Sequence, residues 1–322
     1  MAIGTKSDFK IYNEQFFGGF TEVLMQNADI FNAASAGTIL VRPRRLKGDY
    51  EQESFVPEIA SLITRRDVTS VSAATDLKMT QLEKASVKIN RKIGPIAQTL
   101  DAWKKIAEDP QVFSILLGQQ TAKAALVDYV DTAIKAAIAA LGNNSSVVYD
   151  GSAGTMTHTA LATGLSKFGD AAKSIKCFVM HSKVWFDLVK QSITDKITNV
   201  ADVTINQGTA ASLNRPVIVT DSAELVVSGT PNNYYTLGLV QAGIEIDESE
   251  EKDVESQIVT GLENLVMRIQ GEYAYNLGLK GFTWDITNGG ANPTNAAIGT
   301  ASNWDQVATD YRSLAGVRIK TQ

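Results

Sequence analysis

The sequence predicts an α+β fold organised by two rods, a long strand and a long helix. Between Met267 and Lys280 the chain alternates for fourteen residues without a break. Met267, Ile269, Gly271, Tyr273, Tyr275, Leu277 and Leu279 share one side; Arg268, Gln270, Glu272, Ala274, Asn276, Gly278 and Lys280 share the other. A period of two over that length is a single strand with one face buried. At roughly 3.3 Å per residue it spans about 46 Å, over twice the usual strand. The helix starts at Asp109-Pro110, a capping residue followed by proline at the first helical position. It runs to Leu141, interrupted only by Gly118, and stops at Gly142-Asn143-Asn144. At about 1.5 Å per residue it is roughly 50 Å long, matching the strand. Rods of this size suit a unit that spans distance and tiles.

The chain opens on an apolar stretch, Phe9, Ile11, Phe16, Phe17, Phe20, Val23, Leu24 and Met25. We expect it to dock amphipathically on an adjacent copy. Residues 48–95 follow, polar and thin in large apolar side chains. Their return leg sets Val87, Ile89 and Ile93 against Lys88, Asn90 and Lys92, a strand pattern. Their middle, from Arg65-Arg66-Asp67 to Ala73-Ala74, reads as an exposed tip. A two-stranded ribbon is marginal alone in water, so it is expected to lie on another copy.

In the long helix Leu126, Val130, Ile134, Ala137 and Leu141 recur at three- and four-residue steps, and Asp131 and Lys135 pair on the opposite face. The stripe is too short and alanine-rich for a coiled coil, so the helix is expected along the long sheet. Thr157–Ala172 reads as a helix, 175–180 as a buried strand, 184–191 as a helix with Val184, Leu188 and Phe186 or Val189 for burial, and 217–219 as a strand. Together they predict an α/β unit over 152–228. The segment from 286 onward begins as a turn region, continues as a short amphipathic piece from Trp304 to Leu314, and ends on a strand at Val317-Arg318-Ile319.

Hydrophobic residues make up 44% of the 322, enough for a sizeable core. The composition is that of a soluble, ordered, intracellular protein, with no apolar signal core in MAIGTKSDFK and no run of about 18 apolar residues for a membrane. The single cysteine, Cys177, excludes internal disulfides and multi-cysteine metal sites. Net charge of −5 argues against whole-surface nucleic-acid binding and leaves room for a local patch. No catalytic set assembles. His158 and His181 are isolated from other ligands, and no glycine spacing makes a phosphate loop. Ser182 beside Lys183 permits a serine hydrolase as a remote alternative, against the simpler reading of Ser182 as a helix cap. No cofactor or metal is expected.

The charges carry more information. Arg42, Arg44, Arg45 and Lys47 form one basic cluster; Lys84, Lys88, Arg91 and Lys92 form another. Opposing them is the densest acidic stretch, Glu245 to Asp253, including Glu248, Glu250 and Glu251. It reads as a solvated loop or, less well, a calcium site of non-EF-hand spacing. A third reading sets it against the basic clusters of a neighbour, fixing register and partner choice. The candidate inter-subunit residues are those charges with Arg65, Arg66, Phe16 and Phe17.

FVMHSKVWFDLVKQ (178–191), LNRPVIVTDS (213–222) and VTGLENLVMRIQGEYAYNLGLKGFTWD (259–285), in this order, resemble tailed-bacteriophage major capsid proteins with the Hong Kong 97-like fold. The resemblance implies an N-terminal arm (1–47), an extended loop (48–95), a peripheral domain with the spine helix (96–151), an axial domain (152–228), the peripheral long sheet (229–285) and a C-terminal tail (286–322). It implies a structural subunit forming hexamers and pentamers of an icosahedral shell around double-stranded DNA, assembled in the bacterial host cytoplasm and resident in the virion. Non-specific contact with the packaged DNA goes with that. Portal and decoration proteins are further implied partners, and a scaffold, if used, would be a separate chain. An encapsulin-like nanocompartment shares the fold and is the alternative.

Overall fold

The computed structural model describes residues 6–44, 48–56, 62–73, 76–79, 81–102, 110–198 and 212–322. The long strand is Val266–Leu279 (β10), at the centre of a five-stranded sheet. Its neighbours are Ile244–Val259 (β9) and Leu82–Thr99 (β3); Ile39–Pro43 (β1) and Tyr50–Phe55 (β2) close the edges. All contacts are antiparallel except β1 with β9, which run parallel. The alternation read from the sequence holds up to Tyr273, beyond which β10 is buried on both faces. The acidic stretch is therefore no solvated loop. It is the first half of β9, and Ile244 and Ile246 face the core while Glu245 and Asp247 face away.

The ribbon is also rooted in its own chain. β2 pairs with β3 from Tyr50–Val87 to Phe55–Leu82, and β3 pairs with β10 from Val87 to Thr99. Val87 and Ile89 are buried in the sheet's core face. The free loop is thus shorter than 48–95 and lies between β2 and β3.

The long helix is Pro110–Gly142 (α2), and Lys6–Ala34 (α1) packs against it. Phe16, Phe20, Leu24 and Ala28 recur at four-residue steps and are buried in this contact. The N-terminal stretch therefore docks on its own body over these residues, correcting the expectation of an adjacent copy. Gly19 and Gly118 let the helices approach. A Cβ at Gly118 would overlap the Phe16 carbonyl oxygen, and one at Gly19 would lie 2.9 Å from that of Ile115. Of the predicted stripe of α2, Ile134, Ala137 and Leu141 are fully buried and Leu126 and Val130 half-buried; the buried face also takes in Ala122, Ala125, Tyr129, Ala133, Ala136 and Ala140. Small residues win this face because two elements must come close. Lys135 reaches Glu224 at 2.9 Å instead of Asp131.

The second sheet runs Val148–Gly151 (β4), Gly316–Thr321 (β13), Asn233–Val240 (β8), Ile175–Met180 (β5), Val217–Val219 (β6), with Val226–Val227 (β7) on β8. Its helices are His158–Ser166 (α3), capped by Thr157, and Ser182–Thr198 (α4). α3 ends short of Ala172 because the chain turns through Gly169 at φ +58°. Val184 and Leu188 are buried, whereas Phe186 is exposed. The unit predicted at 152–228 is incomplete without β8 and β13. The chain's last strand is an inner strand of this sheet, so 286–322 is no free tail. Its turn region is ordered by Phe282–Trp284 (β11) pairing with Trp304–Gln306 (β12) and by two short helices, Ile286–Gly289 (α5) and Asn295–Ile298 (α6). Trp284 and Trp304 meet edge-to-face at 4.9 Å, and Trp304 Nε1 donates to the Ile298 carbonyl.

Candidate assembly surface

The polar face of the five-stranded sheet carries a transverse charged row. Arg42 on β1 stands opposite Asp247 on β9, Asp247 opposite Asn276 on β10, and Asn276 opposite Lys88 on β3. Arg42 Nη2 lies 2.9 Å from Asp247 and 3.4 Å from Glu245. Arg44 forms an ion pair with Glu51 and lies 3.5 Å from Asp247 and 3.9 Å from Glu53. Asn276 Nδ2 donates to Ser86 Oγ at 2.6 Å and to Glu51 at 3.3 Å. Burial raises the Glu51 carboxyl, and the opposing pull of Arg44 does not cancel it. The complementary charges read from the sequence do meet, within one chain and across neighbouring strands.

On the opposite face a second polar knot ties α2 to the sheet. Arg91 Nε donates to Asp128 Oδ2 at 2.8 Å; the Tyr275 and Tyr273 hydroxyls donate to the same oxygen at 3.1 and 3.2 Å. Arg91 Nη2 also donates to Asn295 Oδ1 at 2.8 Å. Tyr129 packs edge-on against Tyr275 at 4.7 Å and donates its hydroxyl to Glu248 at 2.8 Å. Burial first, then the neighbouring carboxylates, pushes all three phenols well above their ordinary value. Each phenol stays a neutral donor to a charged acceptor, which strengthens the bond.

The predicted contact residues thus divide. Arg42, Arg44, Arg91 and Glu248 are engaged in the chain's own sheet and helix contacts. Lys88 lies in the transverse row. Lys92 is exposed and opposite Glu272. Phe16 is 3% exposed, so its place is the α1–α2 core. Phe17 is in α1 and Glu250 and Glu251 are in β9, with side chains beyond those described; Arg45 and Lys47 lie outside the described residues. Arg65 and Arg66 are exposed in the loop, and Lys84 is half-buried at its root. Glu51, Asp128 and Tyr129 were missed by the sequence reading, and Asp247 was read only as part of the acidic stretch. For Asp247 the signal was present, because Ile244 and Ile246 alternate with acids as a strand does.

Exposed apolar side chains cluster in the loop between β2 and β3. Ile63 is 94% and Val71 103% exposed, with Leu62, Val68, Leu77 and Met79 also exposed. The Ser182 region makes no nucleophile–base pair. Lys183 Nζ is held by the Gln322 backbone oxygen and Asp187, both at 2.7 Å. The helix cap is His181 instead of Ser182. Its carbonyl accepts from Trp185 N and its Nδ1 accepts from Lys183 N at 3.1 Å. Burial pushes the Cys177 thiol up to about 11. Among the described residues no cluster of His, Cys, Asp or Glu is placed to hold a metal, and no helix is long and apolar enough to cross a membrane.

A family model described as Gp13-like, major capsid protein 13-like, matches residues 8–318. The chain belongs to this major capsid protein family. The capsid subunit resembles a solved chain from Mycobacterium phage Bobi at TM-score 0.51, with 11% identity and 88% of each chain covered. It resembles a chain of the cyanophage Pam1 capsid asymmetric unit at TM-score 0.50, with 9% identity and 85% of each covered. A chain from Mycobacterium phage Adephagia gives TM-score 0.50 at 10% identity, covering 86% of this chain and 90% of that one. At such identities the likeness is one of fold. No curated protein matches the chain. The protein is a structural capsid subunit of the virion that works by assembling with further copies, and its family and fold are not those of an enzyme.

Proposed function

We propose that this capsid subunit assembles into hexamers and pentamers that tile an icosahedral shell around double-stranded phage DNA, in the host cytoplasm. The five-stranded sheet with α1 and α2 is the peripheral unit. The six-stranded sheet with α3 and α4 is the axial unit, completed by β8 and β13. The loop between β2 and β3 reaches a neighbour. The exposed loop carries this reading. Covering Leu62, Ile63, Val68, Val71 and Met79 is worth about 1.5–3 kcal/mol each before ordering costs, and a single chain leaves them in water. Packaged DNA meets the inner surface through sparse phosphate contacts. Scaffold, portal and decoration proteins are separate partners. The test is negative-stain microscopy of the protein expressed alone, with absorbance at 260 and 280 nm on the same fractions. Closed shells or six-membered rings are expected. A monodisperse monomer at every salt concentration would overturn the self-assembly, and shells filled with protein cargo would overturn the DNA container.

A further inference from the structure

A groove of about 360 Å³ lies at the root of the exposed loop, between Val56 and Lys84 on the ribbon side, Lys280 after β10, and Val307, Ala308 and Asp310 beyond β12. Its floor is apolar and its rim is positive. Lys84 and Lys280 have no carboxylate partner among the described residues. Glu53, opposite Lys84 in the ribbon register, leans toward Arg44 at 3.9 Å. The groove's own acid, Asp310, is taken by Arg312 at 2.5 Å. The groove fits an acidic side chain flanked by apolar ones.

The chain presents such a segment at the far end of the same strand. The β9–β10 hairpin turns at residues 260–265, where Leu262 is 59% and Leu265 48% exposed and Glu263 between them has no cationic partner among the described residues. Asp67, the acid of the exposed loop, is already bound by the Thr69 amide and hydroxyl. Asp76-Leu77 is followed by Lys78, which cancels its charge.

β10 has 14 residues and separates tip from groove by about 45 Å at 3.3 Å per residue. The two cannot meet within one chain. We propose that the β9–β10 tip of one copy seats Leu262, Glu263 and Leu265 in the Lys84–Lys280 groove of a second copy. The contact is head-to-tail, the heterologous type that closes into a ring or runs on without end. It deepens the shell reading above by naming one pair of surfaces, and it rests on that reading only in requiring copies to meet.

Cys177 is fully buried, so introduced cysteines report cleanly. Full-length Glu263→Cys/Lys280→Cys and Glu263→Cys/Lys84→Cys proteins, assembled and then mildly oxidised, are expected to give disulfide-linked dimers and larger ladders on non-reducing gels. In a second series, Glu263→Lys alone and Lys84→Glu/Lys280→Glu together should each cut particle yield by about tenfold or more, and their combination should restore it. Particles that form normally while every cysteine pair stays monomeric would overturn the inference and leave the shell reading intact. Charge reversals that leave yield unchanged would do the same. Wild-type yield, measured alongside, reports separately on the shell reading.

Discussion

Replacing Gly118 by alanine pits two effects of opposite sign against each other at the α1–α2 crossing. Alanine favours a helix interior over glycine by about 1 kcal/mol. Against this, the new Cβ overlaps the Phe16 carbonyl oxygen and lies 3.1 Å from Phe20 N. Both are backbone atoms of a helix, so neither can rotate aside. α1 must move out by roughly 0.5–1 Å, which forfeits a quarter to a half of each facing contact's attraction. Phe16, Phe20 and Leu24 lose packing together, and overpacking of this kind costs about 1–3 kcal/mol. Gly18 is the matched control, since nothing lies within 4 Å of a Cβ there. Gly18→Ala should gain about 0.5–1 kcal/mol. Both variants carry the same propensity gain, so their difference isolates the packing cost, about 1–3 kcal/mol. The assay is urea unfolding by far-ultraviolet circular dichroism on subunits kept dilute enough not to assemble. If the two alanines fall within about 0.5 kcal/mol of each other, the close crossing is wrong.

Asp128→Ala removes the acceptor shared by Arg91, Tyr273 and Tyr275. It is expected to lower subunit stability by about 1.5–3 kcal/mol, with Asp128→Asn recovering part; an unchanged urea midpoint would discount the knot. Arg44→Glu with Arg45→Glu should destabilise the dilute subunit itself, because Asp247 is 3% exposed and Arg44 is one of its cations. A loss confined to particle yield would return these charges to the interface. Asp170 and Asp310 are held below the usual carboxylate range, chiefly by hydrogen bonds from Arg312. A lowered folded value contributes stability above the unfolded value of about 3.9 that is lost as pH falls through the folded one. Arg312→Ala should therefore reduce thermal stability at neutral pH and converge with wild type as the pH falls below the ordinary carboxylate range and through the lowered folded values; a constant difference across the acid titration would refute the linkage.

Local periodicity made the rods legible. Tyr273, Tyr275 and Leu277 announced β10, and proline and glycine bounded α2. Two kinds of information were not local. Val317-Arg318-Ile319 read correctly as a strand, yet nothing near it says that it lies between β4 and β8, because strand order is decided by partners far away in sequence. Phe16 and Phe20 read correctly as apolar, yet their partner is set by Gly118, about a hundred residues on, where the lost side chain makes room. The acidic stretch failed for a different reason. Glu245, Asp247 and Glu248 outvote Ile244 and Ile246 by composition, and only the spacing reveals a strand. Once it is a strand, parallel pairing with β1 places Arg42 opposite Asp247, so the charges read as facing a neighbour face the adjacent strand.

That pairing changes where partner choice resides. The charges at the centre of the subunit are satisfied by one another: Arg42 and Arg44 by Asp247 and Glu51, Arg91 by Asp128, Tyr129 by Glu248. Such groups hold the sheet and helix in one geometry and have little left for a neighbour. The ions without partners among the described residues include Arg65 and Arg66 in the loop, Lys84 and Lys280 at its root, and Glu263 at the hairpin tip. They stand at the extremities of a subunit whose middle is neutralised. Exposed ion pairs contribute only about 0.2–1 kcal/mol each, so in the assembly proposed above these charges would select partners while the apolar loop would supply strength. A shell in which equivalent contacts meet at slightly different angles needs that division. Apolar contact is tolerant of angle, and a few pairs at the rim still reject the wrong register.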